Sequence, residues 1–386
     1  MTERTELAGA PLLGGNSDIG FEFGAVGTLT RFGEGHVPYL FNMDLVLAAS
    51  VNSGPAGAEI AQQNYLLQVD LPNLIPERLR VKLTASFQRT VDQGYFGFGN
   101  GSSSVVPDAV MGSPGLYFQF DQREAVLRSW NRVAWQPPYQ WMFSTNFRYV
   151  DPVTYRGSRL ERDASMERDF YGLRELVPLA LGVGVGYDTR DNEFFPSRGA
   201  FHHVGMKFSY ALPARGSVRY GEAGSVLAWY VPVTGKLVFA ARGVADAQFG
   251  HVPFYDQYTG GVFQTFAMPG GPEGIRGVPL GRYLGLIKLL ANVELRALLV
   301  EFHLLGATFH FGGNVFADAG RVWRDYHFRN TGDGSGVGVK WGSGAGLYLQ
   351  WGQAAVFRAE FAYSPDAADL NPHFPLGVYV AEGVMF

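Results

Sequence analysis

Chemistry in this 386-residue chain has to come from hydroxyls, imidazoles, carboxylates and guanidinium groups, because it contains no Cys. A thiol nucleophile, a thiolate zinc site and a disulfide framework are therefore excluded. Ser343 sits in Gly342-Ser343-Gly344 and Ser113 in Gly112-Ser113-Pro114-Gly115. Neither forms the Gly-x-Ser-x-Gly elbow that presents a hydrolase nucleophile. The candidate bases His202, His203, His303 and His310 have no Ser or Asp at a spacing that would complete a triad. His202 and His203 are adjacent, so on a strand they point to opposite faces and do not share a metal ion. The run Gly182-Val183-Gly184-Val185-Gly186 has no helix after it, so it is no dinucleotide fingerprint and reads as small residues along an interior. Asp188, Arg190, Asp191 and Arg198 read as a hydrogen-bonded turn, and the mixed-charge run 159–174 as a solvated loop. No catalytic residue, cofactor or metal ligand is expected. The candidates that remain are Arg276, Asp318 and Glu294. Their chemistry is charge-assisted hydrogen bonding, and what it can hold depends on the elements that carry it.

Those elements are strands. From Ile287 to Ala297 the odd positions are Ile, Leu, Ala, Val, Leu and Ala, while the even ones include Lys288, Asn292, Glu294 and Arg296. The same period of two runs through Val81, Leu83, Ala85 and Phe87 against Arg80, Lys82, Thr84 and Ser86, and through Trp141, Phe143, Phe147 and Tyr149 against Gln140, Ser144, Asn146 and Arg148. A helix cannot use this spacing. Soluble sandwiches alternate too, but their strands average about 5–6 residues, and several here exceed ten. A membrane-spanning strand needs about 9–11 residues, apolar outward and polar toward a lumen. Charged residues are only 17 % of the chain, against about 25 % in an ordinary soluble domain. A pI near 6.1 with scattered charge excludes a basic nucleic-acid groove. There is no apolar run of the 18–20 residues or so that a membrane helix needs. The first ten residues hold Glu3, Arg4 and Glu6 where a secretory leader would be apolar, so the sequence reads as a mature or trimmed chain.

Spans near 376–386, 354–363, 336–350, 306–323, 286–303, 236–249, 217–232, 199–212, 177–190, 139–151, 116–135, 79–94, 63–72, 39–52 and 19–31 alternate in this way. Their connections alternate between short and mostly long, as periplasmic turns and outer loops do in bacterial barrels. Even closure requires one strand more, and parity places it before Ile19, in the weakly patterned Leu7–Gly15. Aromatics at Trp135, Tyr139, Trp141, Tyr210, Trp229, Tyr230, Trp323 and Trp351 fall near strand ends, where girdles lie. The expected fold is all-β: a transmembrane antiparallel barrel of 16 strands forming one domain over 1–386, with a weak first strand in 1–18 and a loop at 250–285 folded into the lumen. That loop contains Gly270 to Tyr283, whose glycines permit tight turns. An Arg carried inside a barrel needs an acidic partner. Asp318 and Glu294 lie on the lumen face by parity, so Arg276 is expected to pair with Asp318, with Glu294 alongside.

Three motifs resemble the surface-antigen superfamily of bacterial outer-membrane barrels, the BamA and TamA relatives. Ile275-Arg276-Gly277 matches the Arg-Gly motif of that family's sixth extracellular loop, and Phe316-Ala317-Asp318-Ala319-Gly320 matches its Phe-x-Asp-x-Gly strand. The resemblance implies a lock between the two inside the lumen; Val278 stands where the family usually has an aromatic residue. The third match, from Tyr187 to Gly199, resembles the family's periplasmic turn and carries Asp188, Arg190, Asp191, Asn192, Phe195, Pro196 and Gly199. A terminal Phe386 after Gly383 resembles the signal by which barrels are recognised for assembly, with Glu382 and Val384 less typical of it. No counterpart of the family's POTRA domains is expected, since barrel patterning begins before residue 20.

What the resemblance implies is a Gram-negative outer-membrane protein that inserts or translocates proteins, or lipids, through a weak seam between first and last strands, with no covalent catalysis. The alternatives are a plugged pore or small-solute channel and, below it, a barrel-embedded lipase or other hydrolase. The implied partners are outer-membrane lipid and lipopolysaccharide, the assembly machinery for its own insertion, and an unfolded outer-membrane or secreted client. A second copy through the weak edge, or a separate POTRA-bearing partner, completes the expectation; nucleic acid is excluded.

Overall fold

Long runs of period two leave the backbone no economical arrangement in a bilayer except a ladder that returns on itself. A computed structural model describes residues 3–386 apart from 17–19, 35–37, 55–56, 76–77, 109–113, 168, 213–217, 305, 329–330, 353–354 and 371–374. Its strands are β1 (Arg4–Asn16), β2 (Gly20–Phe32), β3 (Phe41–Gly54), β4 (Gly57–Ile75), β5 (Leu79–Gly94), β6 (Gln119–Gln136), β7 (Tyr139–Thr154), β8 (Val177–Asp188), β9 (Gly199–Leu212), β10 (Arg219–Thr234) and β11 (Leu237–His251). A small ladder of β12 (Thr259–Gly260) and β13 (Phe266–Ala267) follows inside the longest loop, and then β14 (Ile287–Leu304), β15 (Ala307–Trp323), β16 (Lys340–Trp351), β17 (Ala355–Tyr363) and β18 (Leu376–Glu382). Two short helices, α1 (Arg159–Met166) and α2 (Pro365–Leu370), lie in outer loops. The sixteen long strands are antiparallel to their neighbours, and their order runs in a ring from β1 round to β18. Among the described residues the ring meets itself at a single paired position, Asn16↔Tyr379.

Alternation sorts the side chains as the pattern requires. Leu83, Phe87, Leu127, Phe143, Phe147 and Leu289 face outward, while Lys288, Asn292, Glu294 and Arg296 are buried in the interior. At the short-turn rim Trp135 stacks on Trp141 and Tyr139 packs on Tyr187. Tyr230 is a correction to the girdle: Trp229 faces outward, but its neighbour points inward and is buried, because successive residues of a strand take opposite faces. Strand ends also differ from expectation. β4 runs from Gly57 to Ile75 instead of 63–72, because the β3–β4 hairpin stays paired out to Gly54↔Gly57 through polar and small residues that carry no alternation. β18 stops at Glu382 instead of running to 386: Gly383 adopts φ +81 and turns the chain end inward. Phe386 therefore does not extend the last strand. It sits inside, with its ring 5.2 Å from the Arg296 guanidinium carbon and 5.0 Å from that of Arg242.

At the long-loop rim, Tyr95, Phe120, Val150, Leu160, Phe254, Tyr255 and Leu284 form one apolar cluster that roofs the lumen. Beneath it the loop between β11 and β14 descends into the barrel.

Candidate functional site

The descending loop is shaped by short-range hydrogen bonds. Gly271 N–H donates to Val278 O at 2.9 Å, Val278 N–H to Ile275 O at 3.1 Å, and Ile275 N–H to Pro269 O. The resulting knuckle carries Arg276 to the centre of the wall formed by β14, β15 and β17. Its guanidinium grips Asp318 with two parallel bonds, Nε to Oδ2 at 2.8 Å and Nη2 to Oδ1 at 2.9 Å. Nη1 donates to Glu294 Oε1 at 2.6 Å and to Glu360 Oε1 at 2.9 Å, and the Arg276 backbone N–H adds a bond to Asp318 Oδ2 at 3.1 Å. The Phe316 ring lies against the guanidinium, 3.4 Å from its carbon to the ring centre. Arg276 and its three carboxylates are buried.

Three carboxylates around one cation would leave excess negative charge in a dry place. The structure balances them with Arg296, 2.7 Å from Glu294, and Arg358, 3.2 Å from Glu360. Three guanidiniums then face three carboxylates. Removing one member of such a buried network typically costs about 3–5 kcal/mol, because the remaining charge is stranded. Asn292 ties the lock to the knuckle, donating to Asp318 Oδ1 and to Gly274 O, each at 2.9 Å. Two glycines make the close approach feasible. A Cβ on Gly342 would stand 2.0 Å from Arg276 O, and Gly277 holds φ +91 against the Tyr363–Ser364 backbone. Gly277 N–H donates to the Tyr379 hydroxyl at 2.8 Å, so the lock reaches β18. Val278 is fully buried with Val244, Met268, Ile275, Tyr283, Leu290 and Val322, filling the place by aliphatic packing. Glu360 and Arg358 are members that sequence reading missed. Their parity on β17, opposite to outward Phe361 and Tyr363, is the signal that could have found them.

A second anchor holds the loop to the opposite wall. Asp256 accepts from Arg148 Nη1 on β7 and from the Tyr220 hydroxyl on β10, both at 2.7 Å. Phe263 lies over Gly184 and Gly205, where an added Cβ would approach it within 2.8 Å and 2.7 Å. The glycine run in β8 is thus a floor for the loop.

The turn between β8 and β9 crosses the short-turn rim. Asp191 accepts from Ser197 N–H at 2.9 Å, from Arg198 N–H at 3.2 Å and from the Ser197 hydroxyl, while Asn192 accepts from Phe194 N–H at 2.8 Å and Phe195 N–H at 3.1 Å. Burial pushes the Asp191 carboxyl up, but these hydrogen bonds outweigh it and hold it below the usual range. Gly199 has φ +99, with Thr189 O where a Cβ would be. Arg190 pairs with Asp188 at 2.8 Å, and Pro196 is buried. From this frame Glu193 reaches Arg80 on β5 and, at 3.3 Å, Arg132 on β6. Phe195 reaches the other way to Tyr348 on β16, ring centres 4.8 Å apart. The turn spans the mouth. Glu193, Arg80, Arg132 and Tyr348 were not anticipated as a group, since only the folded ring brings them together.

The discarded catalytic candidates stay apart. Ser343 is on the outward parity of β16, and Ser113 lies outside the described residues. His202 stacks outward on Tyr187 and meets Trp229 edge-on, His203 is buried against Phe263, His303 is exposed and His310 faces Glu301 at 3.5 Å. Among the described residues no three His, Asp or Glu side chains group as a metal site would need.

The family model of the Omp85 superfamily domain matches residues 57–374. The chain belongs to the Omp85 superfamily. The motif resemblance at Ile275–Gly277 and Phe316–Gly320 is thus family membership, and the Omp85 barrel seen here is an outer-membrane barrel. No curated protein matches it by sequence. Among solved structures, BamA from Haemophilus ducreyi lacking POTRA domains 1–3 is similar with a TM-score of 0.55 at 15 % identity, over 99 % of this chain and 70 % of that one. CdiB from Escherichia coli gives 0.57 at 14 % identity over 98 % and 62 %, and CdiB from Acinetobacter baumannii 0.52 at 12 % over 99 % and 65 %. The chain spans less than two thirds of either CdiB; at these identities the likeness is one of fold. In this Omp85 barrel the lock and the closing seam share Tyr379: its hydroxyl holds the loop, and its backbone faces Asn16.

Proposed function

We propose that the protein inserts polypeptides into the outer membrane, or passes them across it, at the seam between β1 and β18, without covalent catalysis. The observation that carries this reading is the mismatch of the two edges. Among the described residues β1 pairs with β2 along its whole length, from Arg4↔Phe32 to Asn16↔Gly20, yet meets β18 only at Asn16↔Tyr379. The rest of the β1 edge offers unpaired backbone groups, and in hydrocarbon each such group is unfavourable by several kcal/mol. An edge of this kind templates an incoming strand through main-chain hydrogen bonds and perturbs the lipid beside it. Polypeptide is favoured over lipid as cargo, because an acyl chain makes no use of a row of N–H and C=O groups. Membership of the Omp85 superfamily and the fold shared with BamA support the reading.

A solute pore is disfavoured by what fills the lumen. The β11–β14 loop occupies it from one rim, and the β8–β9 turn with Phe386 crosses it near the other.

The test is the folding rate of a urea-unfolded model barrel added to liposomes with or without this protein, against an unrelated barrel at equal density. Acceleration beyond that control is expected. Equal rates would remove the insertion reading and move the alternative, a plugged pore, ahead of it.

A further inference from the structure

Away from the seam, the lipid-facing side of β10, β11, β14 and β15 is hollowed. Small residues take the outward positions there and stand side by side across the ladders, where Ser225 pairs with Ala245 and Ala291 pairs with both Gly243 and Ala319. Larger outward side chains, Leu227, Leu289 and Trp323, rise around them. The result is a groove of about 590 Å³, which adjoins a second of about 550 Å³ over β8 to β11; Ser225, Ala245 and Leu289 line both. The hollow is open, since a Cβ added to Gly243 would meet no atom within 4 Å. In a bilayer such a groove holds acyl chain, which gains dispersion contact from the floor and from both sides. Two adjoining grooves suit a lipid with more than one chain.

What selects the lipid is a charge at the upper end of the first groove. Arg321 lines that groove from the outward parity of β15, two residues from Ala319 and two from Trp323. Its guanidinium carbon lies 4.9 Å from the centre of the Trp323 ring, and Nη1 donates to Gly336 O at 2.9 Å and to Val337 O, which draws the head toward the outer loop. The lumen cations Arg276, Arg148 and Arg80 are each held by carboxylates, whereas none pairs with Arg321 among the described residues. An Arg on a lipid-facing wall lays its stem along the apolar surface and keeps its charge at the level of the headgroups. Long loops mark the outer leaflet. A guanidinium there without a counter-charge matches phosphate, which accepts its hydrogen bonds in pairs. We infer that the two grooves and Arg321 form a binding site for a phosphorylated lipid of the outer leaflet, the lipid A portion of lipopolysaccharide, with acyl chains in the grooves and a phosphate on Arg321. The site lies on the lipid side of the wall and does not depend on the insertion reading.

The experiment is native mass spectrometry on the full chain, folded in a phosphate-free detergent and titrated with lipid A, with lipid A stripped of its phosphates, with phosphatidylethanolamine and with inorganic phosphate. A saturable adduct with lipid A is expected, about tenfold tighter than with the dephosphorylated form or with phosphatidylethanolamine. Arg321→Gln is expected to weaken lipid A about tenfold, the loss of a hydrogen bond to a charged group, and to leave the dephosphorylated form unchanged. Gly243→Phe fills the first groove and is expected to weaken both forms. Its new side chain enters open space, so it folds like the parent; heat-modifiable gel mobility verifies this. The assignment is overturned if lipid A binds no tighter than its dephosphorylated form or phosphatidylethanolamine, which would make the grooves ordinary lipid contact. It is also overturned if either variant binds lipid A as the parent does, or if inorganic phosphate alone binds as tightly as lipid A.

Discussion

The barrel wall is built to opposite standards on its two flanks. Along β14 and β15 the ladder runs from Ile287↔Trp323 to Leu304↔Ala307 with one bulge, and Arg276 clamps the wall from inside through carboxylates on β14, β15 and β17. Between β1 and β18 a single pair closes the ring among the described residues, and on the β18 side the chain leaves the sheet at Glu382. Both flanks are made of the same kind of strand. The difference is whether anything on the lumen side cross-links them. A wall stiffened over one arc concentrates its deformation in the other, which is what the proposed work of the seam requires.

The most severe way to break the contrast is Arg276→Glu, which places a fourth carboxylate among three. Loss of the folded, heat-modifiable form is expected, in line with the roughly 3–5 kcal/mol of a broken buried pair. Adding Asp318→Arg restores part of the folded yield, measured on the same gels; wild-type yield in the single variant would refute the lock. Next in size is a disulfide across the seam, from Gly15→Cys and Val380→Cys, beside the Asn16↔Tyr379 pair in a chain without other thiols. Oxidation should remove the acceleration of client folding and reductant should return it. Undiminished acceleration in the oxidised form would detach function from the seam.

Smaller effects sharpen the comparison. Glu193 sits in the β8–β9 turn, where burial raises its carboxyl but Arg132 and Arg80 outweigh that and hold it far below the ordinary range. Glu193→Gln should lose about 1.5–3 kcal/mol at neutral pH, as for hydrogen bonds to charged groups. With the folded pKa below the unfolded one, the wild-type advantage is complete above about 4.3 and fades as pH falls from there toward the folded value. Urea midpoints of the two proteins should therefore converge in acid; a constant gap would deny the ion pair its role. Smallest is Tyr379→Phe, which strips the partner from Gly277 N–H. A loss of about 1 kcal/mol is expected, together with faster amide exchange at Asn16. Unchanged exchange there would show lock and seam to be independent.

Strand identity was legible because alternation is a local property. The same parity that placed Lys288 and Glu294 inside would have added Glu360 and Arg358 to the lock, had it been carried through β17. The Arg276–Asp318 contact was read from motifs together with the rule that a buried cation needs an anion. The reach of Glu193 to Arg80 was not legible, since those residues are 113 positions apart and meet only after the ring forms. Nor was the inward turn of Phe386: its ring is held by guanidiniums on β11 and β14, and nothing in the last five residues announces them.

The β8–β9 turn has a consequence for the cell as a whole. A wide barrel in the outer membrane would ordinarily admit antibiotics and bile salts. With Glu193 and Phe195 spanning one mouth and the long loop filling the other, the axial route is shut at both ends. Bacteria making this protein in quantity should keep their resistance to large hydrophilic drugs, and a version with residues 192–196 replaced by glycines should keep it too, because the long loop still fills the other mouth.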